Sequence, residues 1–327
     1  MPPVRSDPFE DALEDLRIGG TLLLHRVHGV PWGVDVPDGV ELKQQMDLSG
    51  DALLIPFHLV LSGEMEVEIA GHEKFELTSG QAIICTRGLE HRLSQGRPNR
   101  ILKFEDILAG KEISPGGSVQ QGDTDLMCGT FVTRSVPLNP ILSALPDFMI
   151  VGPGDANEQK LAQTVDLLRL ELDDSKGQGF TMSRLIEILF SEALRSHAAQ
   201  RQEDGEAGWF KALGDSKVSQ VLSIIHRAPG EPMSVASLAD AVALSPSRLA
   251  ARFREVTGQS VMNYVAGWRM NRACRELAET GRNLTEIATD AGYMDTASFS
   301  RAFKALVGKS PAQWRTAQVD ASAASRI

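Results

Sequence analysis

Leu238-Ala239, Leu249, Phe253, Gly258, Ser260 and Tyr264 are answered, in the same order, by Ile287-Ala288, Phe299, Phe303, Gly308, Ser310 and Trp314. The first pair recurs at an offset of 49 residues and every later position at 50. One residue has therefore been added in the turn of the second copy. A repeat of this length marks a duplicated supersecondary unit, and two copies make a tandem pair and not a solenoid.

Each copy reads as a short helix, a tight turn, a second helix and a terminating glycine. Ser234 caps a helix carrying Val235, Leu238, Ala239 and Val242. Ser245-Pro246 then supplies an N-cap with proline at the first helical position, the one place in a helix where the missing N–H costs nothing. Leu249 and Phe253 stand at i, i+4, and Gly258 stops the helix. In the second copy Leu284, Ile287, Ala288 and Ala291 form the first helix and Gly292-Tyr293 the turn. Asp295 or Thr296 caps the second, which carries Phe299, Phe303 and Leu306 before Gly308. Ser310-Pro311 opens one more helical turn ending near Trp314-Arg315. Between the copies, Ser260 to Thr280 reads as one helix with Ala266, Met270, Ala273 and Leu277 on its apolar face and Arg269, Arg272 and Arg275 elsewhere.

Two short helices joined by a small-residue turn, the second polar outside, make the helix-turn-helix pattern, whose second helix enters the DNA major groove. An ordinary αα-hairpin is the competing reading of one unit alone. Duplication and charge decide for the former. The whole chain carries a net charge of −10, which by itself argues against a nucleic-acid partner. Residues 217–315, however, hold 13 Lys+Arg against 8 Asp+Glu, a net +5, while residues 1–216 hold 19 against 34, a net −15. A basic module on an acidic body suits phosphate contact by one domain only.

Gly292-Tyr293, Ser298-Phe299-Ser300-Arg301-Ala302-Phe303-Lys304, Gly308-Lys309-Ser310-Pro311 and Trp314-Arg315 resemble the signature of the AraC/XylS family of bacterial transcription regulators. The resemblance covers roughly residues 217–316. It implies base-facing positions at Ser247, Ala250 and Ala251 of the first recognition helix (about 246–256) and at Thr296, Ala297, Ser298 and Arg301 of the second (about 296–306). Arg301 is the strongest candidate, since Arg pairs bidentately with a guanine edge. Arg248, Arg252 and Lys304 are expected on phosphates, which position without specifying. Ala251 stands where the family often has arginine, so the first helix is expected to lean on methyl contacts and shape. A joining helix of roughly 18 residues spans about 27 Å, which sets the two readers on successive major-groove faces. Tyr293, Phe299, Phe303 and Trp314 read as core.

Upstream, residues 1–8 read as a loose arm, and Asp11 to Ile18 as a short amphipathic helix with Leu13 and Leu16 inward. From Thr21 to about Val136 short apolar runs alternate with Gly, Pro and Asp. Leu22–Leu24, Leu53–Ile55, Phe57–Leu61, Met65–Ile69, Lys74–Leu77, Ala82–Cys85, Arg100–Phe104 and Leu126–Val132 read as strands of a sandwich or barrel. Phe57-His58-Leu59-Val60, Gly63, Leu77, Gly80, Gly88, His91-Arg92-Leu93, Cys128-Gly129-Thr130 and Leu145-Pro146 resemble the cupin-type ligand-binding domain of one AraC subgroup. Cupin metal sites draw two histidines and a glutamate from a first motif and a histidine from a second. Here Pro56 stands at the first histidine, His58 aligns with the second, Glu64 with the glutamate after one added residue, and His91 with the last. Three readings stay open for these side chains: an iron or zinc site, contacts to an effector, or hydrogen-bonded lining of a pocket. Cys85 and Cys128 read as buried inert thiols, with redox sensing as the alternative, Cys128 the better candidate.

Pro137 to Gly154 reads as the exit from this domain. Two amphipathic helices follow: Glu158–Asp174, with Leu161, Val165, Leu168 and Leu172 on one face, and Met182–His197, with Leu185, Ile188, Leu189 and Ala193. They either pack on their own domain or also form a homodimer seam. Gln200–Gly208 reads as a hinge. With three cysteines lacking metal spacing, no apolar run after a basic start and no stretch near ~18 apolar residues, a soluble cytoplasmic protein is expected. The expected architecture is thus multidomain α+β. It comprises a cupin-like β-barrel or jelly roll over residues 1–150, a helical linker over 151–208, an all-α double helix-turn-helix domain over 209–317, and a tail. The expected function is DNA-binding transcription regulation answering a small effector, with no catalytic residue. The partners are double-stranded DNA, the effector and, for an activator, RNA polymerase, with no membrane. The competing readings are a thiol-based regulator through Cys128 and Cys85, and a metal-dependent cupin enzyme using His58 and His91.

Overall fold

The computed structural model describes residues 7–46, 48, 52–110, 122–133, 138–154, 158–173, 179–203 and 207–324. Its strands are β1 (Ile18–His28), β2 (Trp32–Val36), β3 (Leu53–Ser62), β4 (Glu64–Ile69), β5 (Phe75–Thr78), β6 (Ala82–Ile84), β7 (His91–Gln95), β8 (Leu102–Lys103), β9 (Thr124–Thr133) and β10 (Met149–Val151). The early helices are α1 (Pro8–Leu16), α2 (Gly39–Gln45), α3 (Phe104–Leu108), α4 (Pro140–Ala144), α5 (Glu158–Asp173) and α6 (Phe180–Glu203). Then come α7 (Trp209–Gly214), α8 (Ser216–Arg227), α9 (Val235–Ala241), α10 (Pro246–Thr257), α11 (Val261–Glu279), α12 (Leu284–Asp290), α13 (Thr296–Val307) and α14 (Pro311–Ala324).

Two compact units result. One is Ile18–Thr133 with Pro146–His197, and the other is Met1–Arg17, Arg134–Leu145 and Ala198–Ile327. This grouping departs from the linear division at residues 150 and 208. Helices α1 and α4 belong with the C-terminal helices, and α5 with most of α6 belongs with the strands. The expected hinge lies partly outside the described residues, since 204–206 are not among them.

In the β-rich unit two sheets run in the orders β1-β9-β3-β6-β10 and β5-β4-β7-β2-β8. They form a sandwich, not a closed ring of strands, among the described residues. Their inward side chains (Val34 and Val36, Val60, Met65 and Val67, Leu93, Leu126) fuse into one core. Strand β3 is buried along almost its whole length, because both its faces are covered. Val60 faces the other sheet, while Phe57 stacks on Phe131 at 4.8 Å, which meets Phe190 of α6 at 4.5 Å. The α6 surface is therefore wider than the stripe expected from sequence. Ile186 and Phe190 are buried, whereas Ile188 is 47% exposed.

Strands β2, β7 and β10 were not foreseen as strands. β10 falls in the Pro- and Gly-rich exit segment, and β2 has four of its five residues buried, so neither alternates in hydropathy. Of Arg100–Phe104 only Leu102–Lys103 pairs, and Phe104 opens α3. Helix α14 runs well past Arg315, to Ala324.

The helical unit is built on α11, whose N-cap Ser260 accepts from the Asn263 amide. It buries Tyr264, Trp268, Met270, Asn271, Cys274 and Leu277. Helix α1, capped by Asp7 with Pro8 behind it, buries Phe9, Ala12, Asp15 and Leu16; Leu13 stays half-exposed. Asp15 is only 1% exposed. Its carboxylate accepts from Asn271 Nδ2 at 3.0 Å and forms a part-buried ion pair with Arg275, both on α11. Asn139, the N-cap of α4, donates to the Ala12 carbonyl at 2.7 Å.

Replacing Asp15 by alanine strands the buried Asn271 donor and the part-buried Arg275 guanidinium, which costs the helical unit about 2–4 kcal/mol. Chemical denaturation measures it; a loss below about 1 kcal/mol would show that water replaces the carboxylate freely.

Candidate nucleic-acid interface and the histidine-lined sandwich core

The two helix-turn-helix units repeat bond for bond through most of their length. Ser234 and Asn283 each head a capping box, closed by Ser237 and Glu286. In the first turn Ala243 N donates to Asp240 O and Leu244 N to Ala239 O, at 3.1 and 2.9 Å. In the second, Gly292 N donates to Thr289 O and Tyr293 N to Ala288 O, at 2.8 and 2.9 Å. Ala243 and Gly292 both take the left-handed conformation, φ 55° and 78°. The helices that follow are capped by Ser245 and Asp295 and end on Gly258 and Gly308 at φ 79° and 83°. Leu249, Phe253, Phe299, Phe303 and Trp314 are buried and Tyr293 half-buried.

The outer faces of α10 and α13 carry the residues expected to meet DNA. Ser247, Arg248, Ala250, Ala251 and Arg252 are exposed on α10; Ala297, Arg301 and Lys304 are exposed on α13, with Thr296 and Ser298 partly so. The two faces differ in how their cations are held. Arg252 Nε donates to Asp215 Oδ2 at 2.8 Å, and Asp215 is itself the cap of α8. Arg252, expected on a phosphate, is thus tied inside the unit. Arg301 instead donates to Ser298 Oγ at 3.1 Å, and that hydroxyl donates to Asp295 Oδ2 at 2.9 Å. Hydrogen bonds from the Ser298 amide and hydroxyl hold the Asp295 carboxyl below its ordinary range. A cap, a hydroxyl and a guanidinium are therefore pre-aligned along one helix face. On the joining helix, Arg269 donates to the carbonyls of Pro229 and Glu231 at 2.6 and 2.8 Å, so it braces a loop.

In the β-rich unit His58 projects inward from β3, and His91 inward from β7 of the facing sheet. Their Nε2 atoms lie 2.8 Å apart, with Cys128 Sγ 2.9 Å from His58 Nδ1. His91 Nδ1 donates to the Leu89 carbonyl at 2.7 Å. That bond fixes the tautomers of a neutral chain: Cys128 donates to His58 Nδ1, and His58 Nε2 donates to His91 Nε2. Burial lowers both histidines, and the neighbouring His91 lowers His58 further.

Glu64 is not brought to this pair. Met65, Val67 and Ile69 point inward from β4, so the period of two turns Glu64 to solvent, where its carboxylate faces Glu76. Among the described residues no group of three or more His, Cys, Asp or Glu is arranged to hold an ion. Burial pushes Cys85 up to about 12 and Cys128 further, which leaves little thiolate. Cys85 follows β6 and Cys128 lies on β9, on opposite sides of β3. Two strand spacings, roughly 9.5 Å, exceed the Cα separation of about 7 Å that a disulfide spans.

A cleft of about 560 Å³ is lined by Lys43, Leu53, Ile69, Arg87, Leu89 and Glu90, among others. Its floor is the close approach of Gly39 to Gly88, joined by a 2.8 Å backbone hydrogen bond. A Cβ on Gly88 would sit 3.1 Å from the Gly39 Cα, so this crossing needs glycine.

Two helix-turn-helix units on one shared helix define a reader of double-stranded DNA, here joined to a β-sandwich of cupin type. The chain belongs to the AraC-type transcription regulators with an N-terminal cupin domain: a cupin family profile matches residues 7–199 and a helix-turn-helix domain profile residues 238–317. A putative AraC-like transcription regulator of Streptomyces lividans is 30% identical over 94% of this chain and 98% of its own length. A second, from Streptomyces antibioticus, is 27% identical over 94% and 98%. The HTH-type transcriptional regulator AlkR of Acinetobacter baylyi is 26% identical over 82% of this chain and 89% of its own. No helix among the described residues is long and apolar enough to cross a membrane.

The buried histidines set a pH dependence. His58 and His91 titrate lower in the folded chain than in the unfolded one, and burial brings His28 down to about 4. Below pH about 6.5 the unfolded chain therefore binds more protons, so stability is complete above that value and is lost as pH falls toward 4. Thermal melts at pH 7, 6 and 5 should show a falling midpoint; a flat or rising one contradicts the neutral chain.

Proposed function

We propose that this regulator reads its operator with α10 and α13 in successive major-groove faces and answers a small effector at the cleft between α2, β3 and the 87–90 loop. The observation that carries the DNA half is the pre-aligned Asp295–Ser298–Arg301 row on the outer face of α13. Arg301 reads a guanine edge there, while Arg248 and Lys304 neutralise phosphates. The effector half rests on the cleft of about 560 Å³ that the 87–90 loop lines. Leu89 links that cleft to the core, because its carbonyl receives the His91 proton at 2.7 Å. A ligand that moves this loop disturbs the His91–His58–Cys128 chain and so β9. The effector must bind two states of the chain unequally to change DNA affinity. The exposed Leu167 and Leu170 of α5 suit a homodimer seam, and an activating form would also contact RNA polymerase.

Genomic-fragment selection with the purified protein at stated salt, followed by footprinting, tests the reading. Protection of two adjacent major-groove faces is the expected result, with paired sites for a dimer; failure to enrich any fragment, with and without cell extract, removes sequence reading. At the selected site Arg301→Ala should cost ~1–3 kcal/mol and relax one base pair. Lys304→Ala should weaken binding to all sequences alike and lower the salt slope by about one.

A further inference from the structure

The extra residue of the second unit can be identified. The turn bonds of Ala243 and Leu244 recur at Gly292 and Tyr293, an offset of 49, whereas the caps Ser245 and Asp295 stand 50 apart. The insertion is therefore Met294, between the turn and the cap. Its counterpart chain in the first unit passes directly from Leu244, partly buried, to Ser245. Met294 is 100% exposed, the only large apolar side chain so fully bared among the described residues. It buries nothing within the helical unit, so folding does not account for it. It stands at the N-terminal end of the recognition helix, the end that approaches base edges in this motif.

From this, on the reading of α13 as a recognition helix, we propose that Met294 is a base contact that reads a thymine through its C5-methyl group in the major groove. An unbranched thioether suits a methyl group, because it is apolar and adapts its shape. Met294 precedes the extended cap Asp295, and Arg301 stands five helical residues after Thr296, so two extended steps and five helical ones separate them by at most roughly 14 Å, about four base steps. The second unit thus reads a guanine and a thymine within about four base pairs of each other. The first unit offers Ala250 and Ala251 at the corresponding face and keeps Arg252 on Asp215.

The test is a randomised-site selection with the full chain and with Met294→Ala, followed by thymine-to-uracil replacement at each thymine of the wild-type site. Uracil lacks only the methyl group. One uracil position in the second half of the site is expected to weaken the wild type about fourfold, the worth of one buried methyl, and to leave Met294→Ala unaffected. The thermal midpoint of Met294→Ala should match the wild type, which keeps misfolding out of the comparison. Equal uracil effects in both proteins overturn the contact. So does a variant that selects the same sequence with the same affinity but activates transcription less, because Met294 would then face a protein. If the wild type selects no sequence, the DNA reading itself fails, and this contact with it.

Discussion

Helix α11 is the element on which both readers depend, and its buried polar side is what it must satisfy. Arg275 and Asn271 point into the helical unit, where an unpaired charge would cost several kcal/mol. Asp15 answers both, from a helix more than 250 residues earlier in the chain. That requirement makes α1 part of the C-terminal unit. It also brings α4, through Asn139 and the Ala12 carbonyl. The strands flanking these helices, β1 and β9, pair at Ile18 and Thr133, so both connections leave the sandwich at the same end of one ladder.

Low dielectric settles the chemistry of the sandwich core. Two imidazoles from facing sheets meet edge to edge among apolar side chains, a setting in which charge on either is expensive. The neutral chain from Cys128 to the Leu89 carbonyl satisfies each group without charge. At one end of the sandwich Gly39 and Gly88 let two loops cross closely.

The two readers show how a duplication diverges while its frame stays fixed. Capping boxes, turn bonds, glycine stops and aromatic cores are common to both, because each unit solves the same packing problem against α11. The differences lie where packing imposes nothing: one inserted residue before a cap, and the partner that an arginine finds. Arg252 meets an acidic cap on α8, whereas Arg301 meets a hydroxyl on its own helix and stays turned outward.

Much of this was legible in the sequence. The duplicated Leu/Ile-Ala, Phe, Gly and Ser-Pro positions determine the helical module, since a 3.6-residue period, proline at N1 and glycine at C′ are local rules that need no distant partner. The charge contrast between the two parts of the chain determines which of them suits DNA, and the alternating runs determine a β-rich half. Tertiary structure alone decided that α1 joins the C-terminal unit, that His58 finds Cys128 and His91 but not Glu64, and that Met294 is the inserted residue and lies bare. These depend on which side chains meet across the core, through contacts tens to hundreds of residues apart. A local pattern carries the preferences of a segment; the partner that removes a buried charge or fills a face is chosen only when the whole chain closes.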